Sequence, residues 1–215
     1  MKCAKETMLL YAVTDRAWEN KLSLYEQVEL ALKNGATCIQ LREKFLNETN
    51  FLKEAKKIAS LCKKYCVPFI INDNVAIAIA TNADGIHVGQ DDMSAAFVRE
   101  QVGETMIIGV SVHNVEQALE AVRNGADYLG LGAIFSTSTK NDVDIISMQT
   151  VKEICSLVNV PTVAIGGISK NNIMQLQGSG IDGVAVVSAI FGADDPGAAT
   201  AELLELSKKM IGGNK

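Results

Sequence analysis

IIGVSVHNVEQALEAVRNGADYLGLGAIF, residues 107–135, sets two short apolar runs, IIGVSVH and YLGLGAIF, on either side of a helical pattern. Within NVEQALEAVRNG, Asn114 and Gln117 have the spacing of a variant capping box. Gly125 stands where that helix should end and the next strand begin. A helix between two strands implies parallel pairing through a crossover. The same alternation recurs along the chain. Its apolar runs are MLLYAVTD (8–15), CIQLREK (38–44), PFIIND (68–73), GIHVGQ (85–90), IIGVSVH (107–113), YLGLGAIF (128–135), PTVAIGGI (161–168) and GVAVVSAI (183–190). Each precedes a plausible helix, as in LYEQVELALKNG, where Leu24, Val28 and Leu32 form one stripe.

A weak internal repeat agrees with this order. NGATC, NADGIHVG, NGADYLGLG and SGIDGVAVV each mark the passage from a helix end to a strand start. Pro68 and Pro161 fall at strand starts, where a missing N–H is tolerated. No Pro/Ser-rich linker interrupts the series. Eight βα units predict an α/β fold, a single (β/α)8 TIM barrel forming one catalytic domain over residues 1–215. The competing architecture, an open doubly wound sheet, calls for a Gly-rich fingerprint after its first strand, and YAVTDRAW stands there instead. In a barrel, functional residues belong at the C-terminal ends of the strands and in the loops that follow.

Composition narrows the function. With 48% apolar residues in 215 the chain can bury a sizeable core, while a net charge of −5 and a pI near 5.1 argue against nucleic acid or anionic membrane as a partner. The Lys56–Lys57, Lys63–Lys64 and Lys208–Lys209 pairs read as solvated helix faces. Five irregularly spaced cysteines make a poor disulfide framework, and Cys62 and Cys66 lack further ligands for a metal site. The N-terminal apolar run is too brief for a signal peptide, and no run approaches the roughly 20 apolar residues of a membrane span. The reading is a cytoplasmic protein acting on small molecules. Its oligomeric state stays open, because a helix face that meets a partner looks like any amphipathic helix.

The second run carries the strongest chemistry. In CIQLREK, Gln40, Arg42 and Lys44 share one face of a strand, with Ile39 and Leu41 on the other. An amide, a guanidinium and an ammonium aimed together build an anion site; the bland alternative sends Arg42 and Lys44 past the strand into solvent. Asn72 and Asp73 end the third strand, and HVGQDD ends the fourth. Asp91 or Asp92 could merely cap the helix SAAFVRE. Neighbouring barrel strands, however, bring Asp73 and the Asp91–Asp92 pair to one rim. Two carboxylates beside cations suggest Mg²⁺ shared with a phosphorylated substrate. A glycosidase pair is also possible on this fold, but few aromatic residues are available to stack on a sugar. Ser111 can donate a hydrogen bond at the mouth, whereas His87 and His113 read as structural. FSTSTKNDVD, with Lys140, fits a lid over a phosphorylated ligand. Gly166 and Gly167 allow backbone N–H groups to approach an anion where this fold binds phosphate. The barrel thus expects two anionic groups, one at strands two to four with metal and one at strands seven and eight without.

QLREK, the IND of the third strand, HVGQDD, GVSVH, TSTK, AIGGI and VVSAI fall in the order and at about the spacing of the thiamin-phosphate synthase family, which this chain resembles along essentially its whole length. The resemblance implies a transferase that joins a pyrimidine methyl diphosphate to a thiazole phosphate, with or without an extra carboxylate, and releases pyrophosphate. It implies that Gln40, Leu41, Arg42, Glu43, Lys44 and Asn72, with Ser111 and Lys140, bind the pyrimidine diphosphate. Arg42, Lys44, Lys140 and Ser111 would be catalytic, and Asp73 and Asp92 would ligate Mg²⁺. Thr137, Ser138, Thr139, Gly167, Val187 and Ser188 would contact the thiazole phosphate. Ser136 stands where the family commonly has a proline. A thiazole tautomerase on the same barrel would need neither the metal site nor the diphosphate site. A phosphosugar isomerase would need an acid/base pair, and a non-catalytic phosphate-binding barrel would not need paired carboxylates.

Overall fold

The computed structural model describes residues 3–19, 22–137 and 145–212. In chain order the elements are β1 (Leu10–Val13), α1 (Leu24–Lys33), β2 (Cys38–Leu41), α2 (Glu48–Tyr65), β3 (Phe69–Asn72), α3 (Val75–Thr81), β4 (Gly85–Val88), α4 (Ala95–Val102), β5 (Ile107–Val112) and α5 (Val115–Arg123). There follow β6 (Tyr128–Leu131), α6 (Met148–Leu157), β7 (Thr162–Ile165), β8 (Gly183–Val186), α7 (Ser188–Phe191) and α8 (Pro196–Gly212). All eight strands are parallel, each pairs with the next, and β1 pairs with β8 to close the barrel. The expected (β/α)8 architecture is therefore present. One expectation is corrected: no α-helix follows β7, where residues 169–180 leave room only for the 3₁₀ turn Ile173–Leu176, closed by Gly178 and Gly180 at positive φ.

The helices start where short polar side chains can satisfy unpaired N–H groups. Ser23 and Glu26 form a full capping box on α1. Asn47, Asn74, Ser94, Asn114 and Ser147 each accept the N–H three residues on. On α5 the box is a variant: Asn114 accepts from Gln117, but the Gln117 amide oxygen accepts the N–H of His113, one residue before the cap. No described helix is long and apolar enough to cross a membrane.

Strand parity divides the apolar residues into two cores. Leu10, Ala12, Ile39, Leu41, Ile71, Ile86, Leu129 and Leu131 point outward and pack with the inner faces of the helices. Tyr11, Val13, Cys38, Ile70, Ile107, Tyr128, Val163 and Ala185 fill the interior, and Cys3 and Met8 plug its floor. The weak repeat acquires a physical meaning at that floor. Thr37 Oγ1 accepts the N–H of Leu10 at 2.8 Å, and Asp84, Asp127 and Asp182 accept the N–H of Phe69, Ile108 and Thr162, each at 2.9 Å. The residue just before each even-numbered strand thus staples the start of the odd-numbered strand before it. The staple occurs four times, so the barrel is built from four two-strand quarters, the last of which has a 3₁₀ turn in place of its first helix.

Candidate active site

The mouth formed by the C-terminal strand ends opens into a cavity of about 220 Å³. Gln40, Arg42, Lys44, Asn72, Asp73, Asp92, Ser111, Thr137, Gly167, Val187 and Ser188 all line it. Eleven of the residues expected from sequence therefore meet in one place, although they come from the ends of seven strands, β2–β8, and the loops that follow them. Ser138, Thr139 and Lys140 lie outside the described residues, as does most of the expected lid.

Two expected residues do not turn their side chains to the cavity. Leu41 is wholly buried among the outward-facing core residues, because strand parity opposes it to Gln40. Glu43, with a side chain only 2% exposed, turns away to form an ion pair with Arg16. Parity also fails to explain Arg42 and Lys44. β2 ends at Leu41, so both belong to the following loop, yet both line the mouth. Other residues hold that loop. Thr14 Oγ1 accepts the Arg42 N–H at 3.1 Å, and Asp15 pairs with the Arg42 guanidinium at 3.0 Å. Arg16 clamps both Glu43 and Glu54, and the Glu43 carboxylate accepts the N–H groups of Lys44 (3.0 Å) and Phe45 (3.1 Å). The TDR triplet after β1 therefore shapes the cationic loop after β2. Sequence reading missed that role; the only signal was three polar residues placed directly after a strand end.

At the neighbouring rim Asp73 makes an ion pair with Lys44, and its carboxyl lies within hydrogen-bonding reach of that of Asp92. Burial pushes the Asp73 carboxyl up; Lys44 opposes this, and Asp92 adds to it. Two carboxylates forced together beside, among the described residues, the Lys44 ammonium form an oxygen-rich donor set that a further cation would relieve. Asp73 also sits at φ 61°, in the left-handed region that Asp tolerates better than most residues. Asp92 accepts the Gly89 N–H at 2.8 Å and so folds the HVGQDD turn back on itself. The cap of α4 is Ser94, so neither Asp91 nor Asp92 fills the capping role considered for them.

Beneath the rim lie polar groups of the interior. His87 Nδ1 is 2.8 Å from the Tyr128 hydroxyl, and His87 Nε2 is 2.8 Å from Ser111 Oγ. His87 is the satisfied core histidine anticipated, but it also lines the cavity. Burial lowers its pKa to about 4 despite the upward pull of Asp92. His113 hydrogen-bonds through Nδ1 to the Gly132 carbonyl, in keeping with a structural role. On the opposite rim Gly166 and Gly167 have φ of 99° and 63°. A Cβ on Gly167 would lie 2.3 Å from the Ser136 carbonyl oxygen, so the Gly pair also allows β7 and the β6 loop to touch.

Comparison with known proteins places the chain in a well-populated neighbourhood. A family model described as thiamine monophosphate synthase matches residues 10–190. The chain is 49% identical over 194 residues to a thiamine-phosphate synthase of Clostridium tetani, covering 90% of this chain and 93% of that one. It is 41% identical over 208 residues to a thiamine-phosphate synthase of Pyrococcus abyssi, covering 97% and 99%. The solved thiamine phosphate pyrophosphorylase of Pyrococcus furiosus superposes with a TM-score of 0.88 at 37% identity, over 96% of this chain and 98% of that one.

Proposed function

The chain belongs to the thiamine monophosphate synthase family, transferases that condense a pyrimidine with a thiazole moiety, and from that premise we propose how its barrel mouth carries out the reaction. A pyrimidine methyl diphosphate binds at the ends of β2–β5 and a thiazole phosphate at the ends of β6–β8, within one catalytic domain working in the cytoplasm. The contiguity of Arg42, Lys44, Asp73 and Asp92 at one rim carries the reading, because a diphosphate bound through metal needs that mixture of charges.

Asp73 and Asp92 fit Mg²⁺, which typically takes one or two carboxylates and completes its shell with water and phosphate oxygens. When bound, Mg²⁺ supplies positive charge against the oxygens of the leaving diphosphate. Arg42 and Lys44, with Lys140, stabilise the same charge as it builds. The methylene C–O bond breaks and its electron pair leaves with the diphosphate, giving a pyrimidine-stabilised carbocation. The lone pair of the thiazole nitrogen then forms the new C–N bond. No proton moves in either step, so the mouth needs no general base. Gln40, Asn72 and Ser111 orient the pyrimidine diphosphate. Thr137, Ser138, Thr139, Gly167, Val187 and Ser188 hold the thiazole phosphate. Two anchored anions convert much of the entropic barrier into binding.

The test is to supply pyrimidine methyl diphosphate, thiazole phosphate and Mg²⁺ and to measure thiamin phosphate. Asp73→Ala and Asp92→Ala should each cripple turnover, whereas Asp91→Ala should be mild. Full activity in chelator, or Asp91→Ala proving the most damaging of the three, would overturn the metal assignment.

A further inference from the structure

Five interior side chains form an unbroken hydrogen-bonded chain that crosses the barrel below the mouth. Gln40 Nε2 donates to the Tyr11 hydroxyl at 2.8 Å, and the Tyr11 and Tyr128 hydroxyls are 2.8 Å apart. The Tyr128 hydroxyl meets His87 Nδ1 at 2.8 Å, and His87 Nε2 meets Ser111 Oγ at 2.8 Å. Gln40, Tyr11, Tyr128 and His87 are all buried.

Proton counting sets the direction of this chain. Each tyrosine hydroxyl has one hydrogen to donate, and a neutral imidazole has one N–H. Tyr11 accepts from the Gln40 amide, so its own hydrogen goes to Tyr128. The hydrogen of Tyr128 then goes to His87 Nδ1. An Nδ1 that accepts leaves the buried ring one hydrogen, which sits on Nε2 and goes to Ser111 Oγ. Burial also pushes both tyrosine hydroxyls well above their usual range, so neither ionises to break the sequence. Ser111, already accepting from His87, keeps its own hydrogen for the cavity. Turning the Gln40 amide over would reverse every bond and tie the Ser111 hydrogen to His87.

We propose that Tyr128 and His87 are positioning residues that hold Ser111 as a hydroxyl donor facing the anionic substrate. The benefit to catalysis rests on the reading above that Ser111 meets the pyrimidine diphosphate; the direction of the chain does not. An anion accepts hydrogen bonds and cannot donate one, so only this direction makes the hydroxyl useful to a diphosphate.

Two measurements test the proposal. In ¹⁵N-histidine-labelled protein, long-range ¹H–¹⁵N correlation at neutral pH should show His87 protonated at Nε2 and bare at Nδ1; the Nδ1–H tautomer would overturn the proposal whatever reaction the enzyme catalyses. Tyr128→Phe keeps the ring and removes one hydroxyl. It should raise the KM for the pyrimidine diphosphate by about fivefold, the size of one hydrogen bond, and leave the KM for the thiazole phosphate unchanged. In a Ser111→Ala background the same substitution should add nothing. Equal effects on both KM values, or an undiminished effect without Ser111, would refute the positioning role.

Discussion

His87 should carry a distinct share of this protein's destabilisation by acid. Its ring nitrogens meet the hydroxyls of Tyr128 and Ser111, which carry no charge, and among the described residues the carboxylate of Asp92 draws a proton toward it. Burial outweighs that pull and lowers the pKa from an ordinary 6.5 to about 4. Between these values the unfolded chain binds more protons at this site than the folded one, so stability rises with pH across the window. The neutral ring's contribution is complete above about pH 6.5 and is lost as the pH falls toward 4. At about 1.4 kcal/mol per pH unit, the loss is about 2 kcal/mol at pH 5 and about 3 kcal/mol at pH 4. Urea unfolding followed by far-UV circular dichroism at pH 7.5, 6 and 5 would measure it, with His87→Gln as the reference that cannot titrate. Carboxylates that titrate in the same range act on both proteins and cancel in the comparison. Wild type should lose about 2 kcal/mol more than His87→Gln between pH 7.5 and 5. Parallel decline in the two proteins would refute the buried, neutral histidine.

Two further outcomes follow from packing at other sites. Gly109→Ala would set a Cβ 2.1 Å from Tyr128 Cζ and 2.3 Å from its hydroxyl oxygen, so it should lower unfolding stability by about 2 kcal/mol or more, whereas Gly212→Ala, with nothing within 4 Å, should not. Arg16→Ala would leave Glu43 buried without its counter-charge; the guanidinium is 25% exposed, so about 1–2 kcal/mol of stability should be lost. The same variant should raise the KM for the pyrimidine diphosphate and spare that for the thiazole phosphate, and an unchanged KM would show that the Arg42–Lys44 loop needs no clamp.

Much of the barrel was legible because its causes are local. Side chains alternate along a strand whatever surrounds it, so the outward placement of Ile39 and Leu41 and the inward placement of Gln40 follow from the sequence alone. Helix starts were readable for the same reason, since Asn114 caps through its own neighbours. Local rules failed where a neighbour from another element intervened. Arg42 and Lys44 reach the mouth from a loop, because Thr14, Asp15 and Arg16 hold that loop in place. Glu43 was drawn off by Arg16, and the segment after β7 proved too short and too Gly-rich for an α-helix.

The sequence by itself determined the order of the eight strands, the face each strand turns inward and the residue types that reach the mouth. Only the tertiary structure decided which of them touch. Tyr11 and Tyr128 are 117 residues apart and share a hydrogen bond because closure of β8 onto β1 fixes how every strand is staggered against its neighbours. That same stagger sets Asn72 beside His87 and carries Asp73, one residue past the end of β3, to within reach of Asp92 beyond the end of β4. Parity is a property of one strand and can be read along the chain, whereas register belongs to a pair of strands and exists only once they are hydrogen-bonded.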